Sequence, residues 1–197
     1  DRDVLFFPSS YRRAIKYGQK DAANEILRTE ILNRLQKTND KLYIVTYPEA
    51  ITEKVVNTDT LDSCTMELSV GQSVSMKTIQ DKLKNLDFTS VEYVYEPGQY
   101  AIRGSIIDVY SFASELPYRI DFFGNDIESI RSFDVEDQLS KTKVNKVSII
   151  PELKNITTST VPFFHFLHKK TIIMTRNISR IADYISSIHK EVMSPNV

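Results

Sequence analysis

Apolar and polar positions along the chain change their period twice. Ile26, Leu27, Ile31 and Leu35 follow helical spacing, and Asp21 stands where a side-chain oxygen would cap that helix. A short apolar run, Leu42 to Thr46, predicts a strand, and Pro48 predicts a helix opening near its first turn. The polar stretch "NTDTLD" then reads as a separator. Beyond it Ser75 can cap a helix carrying Ile79, Leu83 and Leu86 at i, i+4 and i+7. Closely spaced strand patterns follow: "VEYVY", "AIRGSIIDVYSF", "YRIDFFGNDIESIR" and "KVSII". Turn signals at Glu96 to Gly98 and at Gly124-Asn125 separate them, the second suited to a tight hairpin because glycine tolerates positive φ. The last stretch returns to a longer period. "KKTIIMT" predicts a strand, and Asn177 caps a helix with Ile178, Ile181, Ile185, Ile188 and Val192 on one stripe.

These textures predict a fold of class α/β + α+β. Residues 1–64 and 153–197 have too few elements to close a core separately, so the two flanks are expected to pack together as one α/β unit. Residues 65–152, a helix followed by successive strands, are expected to form an inserted α+β module with a mainly antiparallel sheet. No internal repeat or low-complexity segment is visible.

One residue in the hairpin pattern is out of place. In "YRIDFFGNDIESIR", Tyr118, Ile120 and Phe122 share one strand face because side chains alternate with period 2. Arg119 and Asp121 fall on the other face, and Phe123 falls there with them.

Composition and charge narrow the function. With 197 residues, 41% of them apolar, the chain can bury a core of one large or two small domains. Lys and Arg number 25 against 26 Asp and Glu, so bulk charge gives no reason to expect nonspecific DNA binding. The single cysteine, Cys64, excludes an internal disulfide and a multi-thiolate metal site, and is expected to pack as a small apolar residue. No apolar run approaches the roughly 20 residues that span a bilayer. The expectation is a soluble, cytoplasmic protein with no membrane partner, and a piece of a longer one, since it starts on charged residues and ends after an amphipathic helix.

Catalytic signals are weak. "GQSVSMKT" lacks the second glycine and the G-K-[ST] ending with which a phosphate loop brings backbone N–H groups and a lysine to phosphate. His165 and His168 lie three apart in "FFHFLHKK" with no adjoining carboxylate or thiol, which predicts a partly buried His165 and an exposed His168 rather than metal ligands. His189 is expected on the solvated side of the last helix. No nucleophile elbow or paired-acid motif stands out. The expectation is no enzyme and no cofactor. Attention then falls on Arg103, Arg119 and Phe123, because arginines and aromatics are enriched where interface binding energy concentrates. Pattern alone leaves two readings open. Phe123 folds over the turn while Arg119 pairs with Asp121 or Glu128, or a partner covers that face.

"EPGQYAIRGSIIDVYSFASELPYRIDFFGNDIESIRSFDVEDQLS", Glu96 to Ser140, resembles the segment shared by the nucleotide excision repair protein UvrB and the bacterial transcription-repair coupling factors. The shared pattern runs roughly PG-x-[FY]-x-x-RG-x-[IL]-[IL]-D, then E-x-P-x-R-[IL]-[DE]-FF-[GD]-[DN]-x-I-[DE]-S-[IL]-R-x-[FY]-D. Weaker likeness extends to "LFFPSSYRRAI" and "LYIVTYPEAI". "SELPYRIDFF" looks closer to the coupling factors, and Ala101-Ile102-Arg103 lacks the extra arginine that UvrB proteins usually carry. Ser105 and Tyr110-Ser111 depart from the pattern, away from the arginines. The resemblance implies an inserted module that docks UvrA, the damage-recognition ATPase, through residues matching Arg103, Arg119 and Phe123. It implies a non-catalytic adaptor, with RNA polymerase and DNA engaged by other parts of the parent protein. The alternative is a fragment of UvrB, a DNA-binding, ATP-dependent enzyme. DNA contact through Arg12-Arg13, Lys16 and Lys20 is a further alternative to a solvated charged face there.

Overall fold

The computed structural model describes residues 4–10, 22–37, 41–153, 156 and 159–193. Asp21, Arg12, Arg13, Lys16 and Lys20 lie outside the described residues, as do the side chains of Ile188, His189 and Val192. The described chain is mixed α/β, with five α-helices and a mostly antiparallel six-stranded sheet in its middle region. It divides into two compact units, Asp59–Asn155 and the pair of segments Asp1–Thr58 and Ile156–Val197.

The first unit, Asp59–Asn155, is built on that sheet. Strands β5 (Thr89–Ser90), β6 (Gln99–Arg103), β7 (Ile106–Val109), β8 (Tyr118–Phe123), β9 (Asp126–Phe133) and β10 (Ser140–Val144) lie side by side in sequence order. Every neighbouring pair is antiparallel except β5–β6. Two-residue loops, Gly104-Ser105 and Gly124-Asn125, return β7 beside β6 and β9 beside β8. One face carries Tyr100, Ile107, Val109, Ile120, Phe122, Ile127 and Ile130, all buried in a single cluster. Helix α4 (Met76–Asn85) adds Ile79 and Leu83 to the same cluster, at the helical spacing the sequence shows. Ser75 caps this helix as predicted, its hydroxyl accepting from the Thr78 N–H at 3.1 Å. An antiparallel ribbon of β4 (Met66–Ser69) and β11 (Lys146–Ile149) adds Met66, Leu68, Val147 and Ile149.

Three expectations in this unit change. "VEYVY" does not form a strand, and pairing stops at Ser90. The Gln99 side-chain oxygen accepts from the Tyr95 and Glu96 N–H groups at 2.9 and 3.1 Å, which folds this stretch into a loop instead. "KVSII" pairs with β4 and not with the large sheet. "NTDTLD" is not a bare separator: Thr58–Cys64 forms the short helix α3, with Leu61 and Cys64 buried.

In the second unit, β1 (Val4–Phe7) and β2 (Tyr43–Thr46) form a two-stranded parallel sheet. Helix α1 (Ala22–Lys37) connects them, as parallel strands require. Phe7 is fully buried, stacked on Phe163 at 4.1 Å between ring centroids. Arg28 of α1, itself buried, lies over the Phe7 ring at 4.3 Å from its centroid and donates to the Pro8 carbonyl at 2.7 Å. The buried side of α1 therefore includes Arg28, Thr29 and Ile31, whereas Ile26 and Leu27 are only half-buried. Helix α2 (Pro48–Thr52) starts at its proline as expected. Strands β3 (Lys54–Val56) and β12 (Thr160–Pro162) pair antiparallel. "KKTIIMT" is not a strand: it pairs with none of the described strands, and Ile172, Ile173 and Met174 are 84, 63 and 91% exposed. Helix α5 (Ile178–Met193) follows, capped by the Asn177 side-chain Oδ1 accepting from the Arg180 N–H at 3.0 Å. Among the described residues no helix is long and apolar enough to cross a membrane.

Candidate partner-docking surface

The hairpin of β8 and β9 separates two adjacent phenylalanines. Phe122 is 4% exposed inside the apolar cluster, and Phe123 is 79% exposed. Alternation begins the separation and a bulge completes it. Asp121 pairs with Ser129 but Phe122 pairs with Ile127, so Glu128 is the extra residue of β9. The shift places Ile127 opposite Phe122, and both enter the core. Gly124, at φ +63°, makes the tight turn possible, and Phe123 ends its strand opposite Asp126.

On the other sheet face the arginines converge on one acid. Asp108 of β7 is directly opposite Arg119 of β8 and directly opposite Ala101 of β6. Arg103 is therefore a diagonal neighbour of Asp108, within reach of a long side chain. Arg119 makes a two-pronged contact, Nε donating to Asp108 Oδ1 at 2.8 Å and Nη2 to Oδ2 at 2.9 Å. Arg103 Nη2 donates to the same Oδ2. The carboxylate is 1% exposed, beneath guanidinium side chains that are 15 and 34% exposed. Further contacts hold each fork. Arg119 Nη1 donates to the Gln138 carbonyl at 3.1 Å, and its guanidinium lies 4.5 Å from the Phe133 ring centroid. Arg103 Nη1 donates to the Glu92 carbonyl at 3.0 Å and lies 5.0 Å from the Tyr93 ring. The hydrogen bonds that Arg119 donates to Asp108 raise the Arg119 pKa above its ordinary value, with its burial opposing.

A second ion pair flanks the first. Arg131 of β9, opposite Arg119, donates to Asp121 at 2.6 Å, and Ser129 donates to the same oxygen at 2.5 Å. Asp121 is thus engaged by Arg131 and Ser129, and Arg119 pairs with Asp108, not with the expected Asp121 or Glu128.

The structure thus brings Arg103 and Arg119 together and leaves Phe123 exposed on the neighbouring stretch of β8. Sequence reasoning missed Asp108, Arg131 and Tyr93. Asp108 was within reach of it: a two-residue loop between Arg103 and Ile106 sets Asp108 diagonal to Arg103. Arg131 had no such signal: a hairpin closed at Gly124-Asn125 pairs Arg119 with Ile130, and only the bulge at Glu128 brings Arg131 opposite it. Tyr93 had no signal, because its stretch was expected as a strand. A layer of charge-assisted bonds over a packed sheet suits recognition of an acidic surface. Elsewhere, His165 sits on a 3-10 helix, Phe163–Phe166, and is exposed, not partly buried as expected.

The family described as the UvrB interaction domain matches residues 66–154. A transcription-repair-coupling factor of Bacillus subtilis (strain 168) is 30% identical over 152 residues, 77% of this chain and 13% of the relative. That of Escherichia coli (strain K12) is 38% identical over 81 residues, 41% of this chain and 7% of the relative. That of Haemophilus influenzae is 26% identical over 151 residues, 76% of this chain and 13% of the relative. The chain spans 13% or less of the length of these curated relatives, and the similarity falls in a non-motor part of them. The chain belongs to the transcription-repair-coupling factors, as their N-terminal region with its UvrB interaction domain.

Proposed function

We propose that the charged face of the six-stranded sheet, ending at Phe123, docks UvrA. The chain is then a non-catalytic adaptor that recruits nucleotide excision repair, in the cytoplasm, to RNA polymerase stalled at a lesion. Polymerase and DNA are engaged by other parts of the parent protein, which supply its motor activity. Residues 65–152 are the docking module, inserted into a UvrB-like α/β unit made of residues 1–64 and 153–197.

The observation that carries this reading is the 79% exposure of Phe123 on the strand whose Arg119 is anchored by Asp108. A large exposed aromatic beside immobilised guanidinium groups has the makeup of an interface centre: the ring loses little conformational freedom on binding, and the arginines bring fixed donors. The basic groups lead to a salt-sensitive association rate. The test is a pull-down of UvrA by the 197-residue chain, with and without DNA. UvrA is expected to be retained in both cases and lost with Phe123→Ala. Retention that is indifferent to Phe123→Ala, Arg103→Ala and Arg119→Ala would remove this face as the docking surface.

A further inference from the structure

The exposed residues of the docking face rest on a group that is itself hidden. Asp108 is 1% exposed and takes three N–H bonds from two arginines on two different strands. Its Oδ2 is the common point, accepting from Nη2 of Arg103 and from Nη2 of Arg119. Two guanidinium groups so close repel each other unless an anion lies between them. Asp108 supplies one negative charge against the two positive charges of Arg103 and Arg119, so these three groups keep a net surplus of one positive charge.

Each arginine is also blocked from swinging away. Arg103 is held by the Glu92 carbonyl and the Tyr93 ring, and Arg119 by the Gln138 carbonyl and the Phe133 ring. Of the five N–H donors of a guanidinium, Arg119 uses three and Arg103 uses two in these bonds. Among the described residues the remaining donors have no acceptor.

We propose that Asp108 is a positioning residue of the docking surface: it ties Arg103 and Arg119 to one buried oxygen and so presents them, at fixed spacing, to a carboxylate of the partner. This rests on the reading of the face as the UvrA dock. The partner group is an acidic side chain, because the surplus charge is positive and guanidinium forks match planar carboxylates. Asp108 does not touch the partner. It acts through the arginines, and chiefly on how long the complex lasts, since freezing both side chains beforehand removes an ordering cost that binding would otherwise carry.

The experiment is real-time binding of UvrA to the 197-residue chain, comparing the parent with Asp108→Asn, Asp108→Glu and Phe123→Ala. Asp108→Asn removes the central negative charge, so charge steering alone would speed association and tighten binding. Loss of positioning instead raises the dissociation rate by about tenfold or more while association is unchanged or faster. Asp108→Glu keeps the charge but moves the carboxylate by one methylene, and the dissociation rate is expected to rise as well. Partial unfolding would lower the amount of competent protein without changing either rate constant, so kinetics separate positioning from a merely structural role. Should Asp108→Asn not fold, Asp108→Glu decides by the same readout. A parental dissociation rate in the folded Asp108 variant, with binding weakened by Phe123→Ala, overturns this inference and leaves the docking face in place. Parental binding by Phe123→Ala removes the docking face itself.

Discussion

Phe122 and Phe123 are consecutive on one strand, yet they belong to opposite faces with different chemistry. The face of Phe122 is closed by carbon: α4 and the β4–β11 ribbon cover it, and its large residues are almost wholly out of water. The face of Phe123 is organised by charge, with Asp108 gathering two arginines from the neighbouring strands and Asp121 gathering one. Apolar burial is non-directional and tolerates any well-packed arrangement. The charged face depends on directed bonds, which hold side chains still without covering them. One sheet therefore supplies stability on one side and a preorganised surface on the other.

The largest test of that contrast is the phenylalanine pair itself. Phe122→Ala is expected to destabilise the fold by about 3–5 kcal/mol, from lost burial plus the cavity left in the cluster. Phe123→Ala should shift stability by no more than about 0.5 kcal/mol, as for a surface position. Denaturant titrations of both variants measure this, and the opposite ranking would mean that the faces are reversed.

Binding should show the mirror image. Phe123→Ala is expected to weaken UvrA by about 2–4 kcal/mol if it is the interface centre, as read by titration calorimetry. The charged face itself should be graded by depth. Arg119→Ala removes a two-pronged, mostly buried contact and is expected to cost about 1–3 kcal/mol of stability. Arg103→Ala, at a more exposed position, should cost less than Arg119→Ala while still weakening UvrA. Equal melting points for the two arginine variants would deny this difference in depth.

The smallest effect is the most local. Burial raises the Cys64 pKa, which keeps the thiolate scarce in the folded unit. Alkylation of Cys64 should be slow in the parent and in Phe123→Ala. It should be markedly faster in Phe122→Ala, where the unit opens more often. Cys64 lies within Asp59–Asn155, so the same labelling, applied to that segment expressed alone, reports whether it folds cooperatively.

Much of this was legible in the chain. Period-2 alternation separated Phe122 from Phe123, and helical spacing placed Ile79 and Leu83 on one buried stripe. Ser75 and Asn177 were readable as caps because capping is a bond between residues three apart. The turn at Gly124 was readable because positive φ is a property of the residue itself. All of these are interactions over a few positions, for which sequence distance and spatial distance are the same thing.

Other features required the assembled sheet. "TIIMT" has a strand's composition but no strand, because a strand exists only when a neighbour completes its hydrogen bonds. "VEYVY" lost its pairing to a side-chain oxygen of Gln99, a competitor that composition does not reveal. The bulge at Glu128 is a matter of register between two strands, and register decided that Ile127 faces the core. The loop after Arg103 sets Asp108 diagonal to it, but Arg119 joined the same acid only when three strands were laid side by side. Sequence alone marked Arg103, Arg119 and Phe123 as candidates for a docking surface, since residue type and alternation are local. Only the tertiary structure decided that the two arginines share one buried oxygen, because that contact depends on which strands become neighbours and in what register.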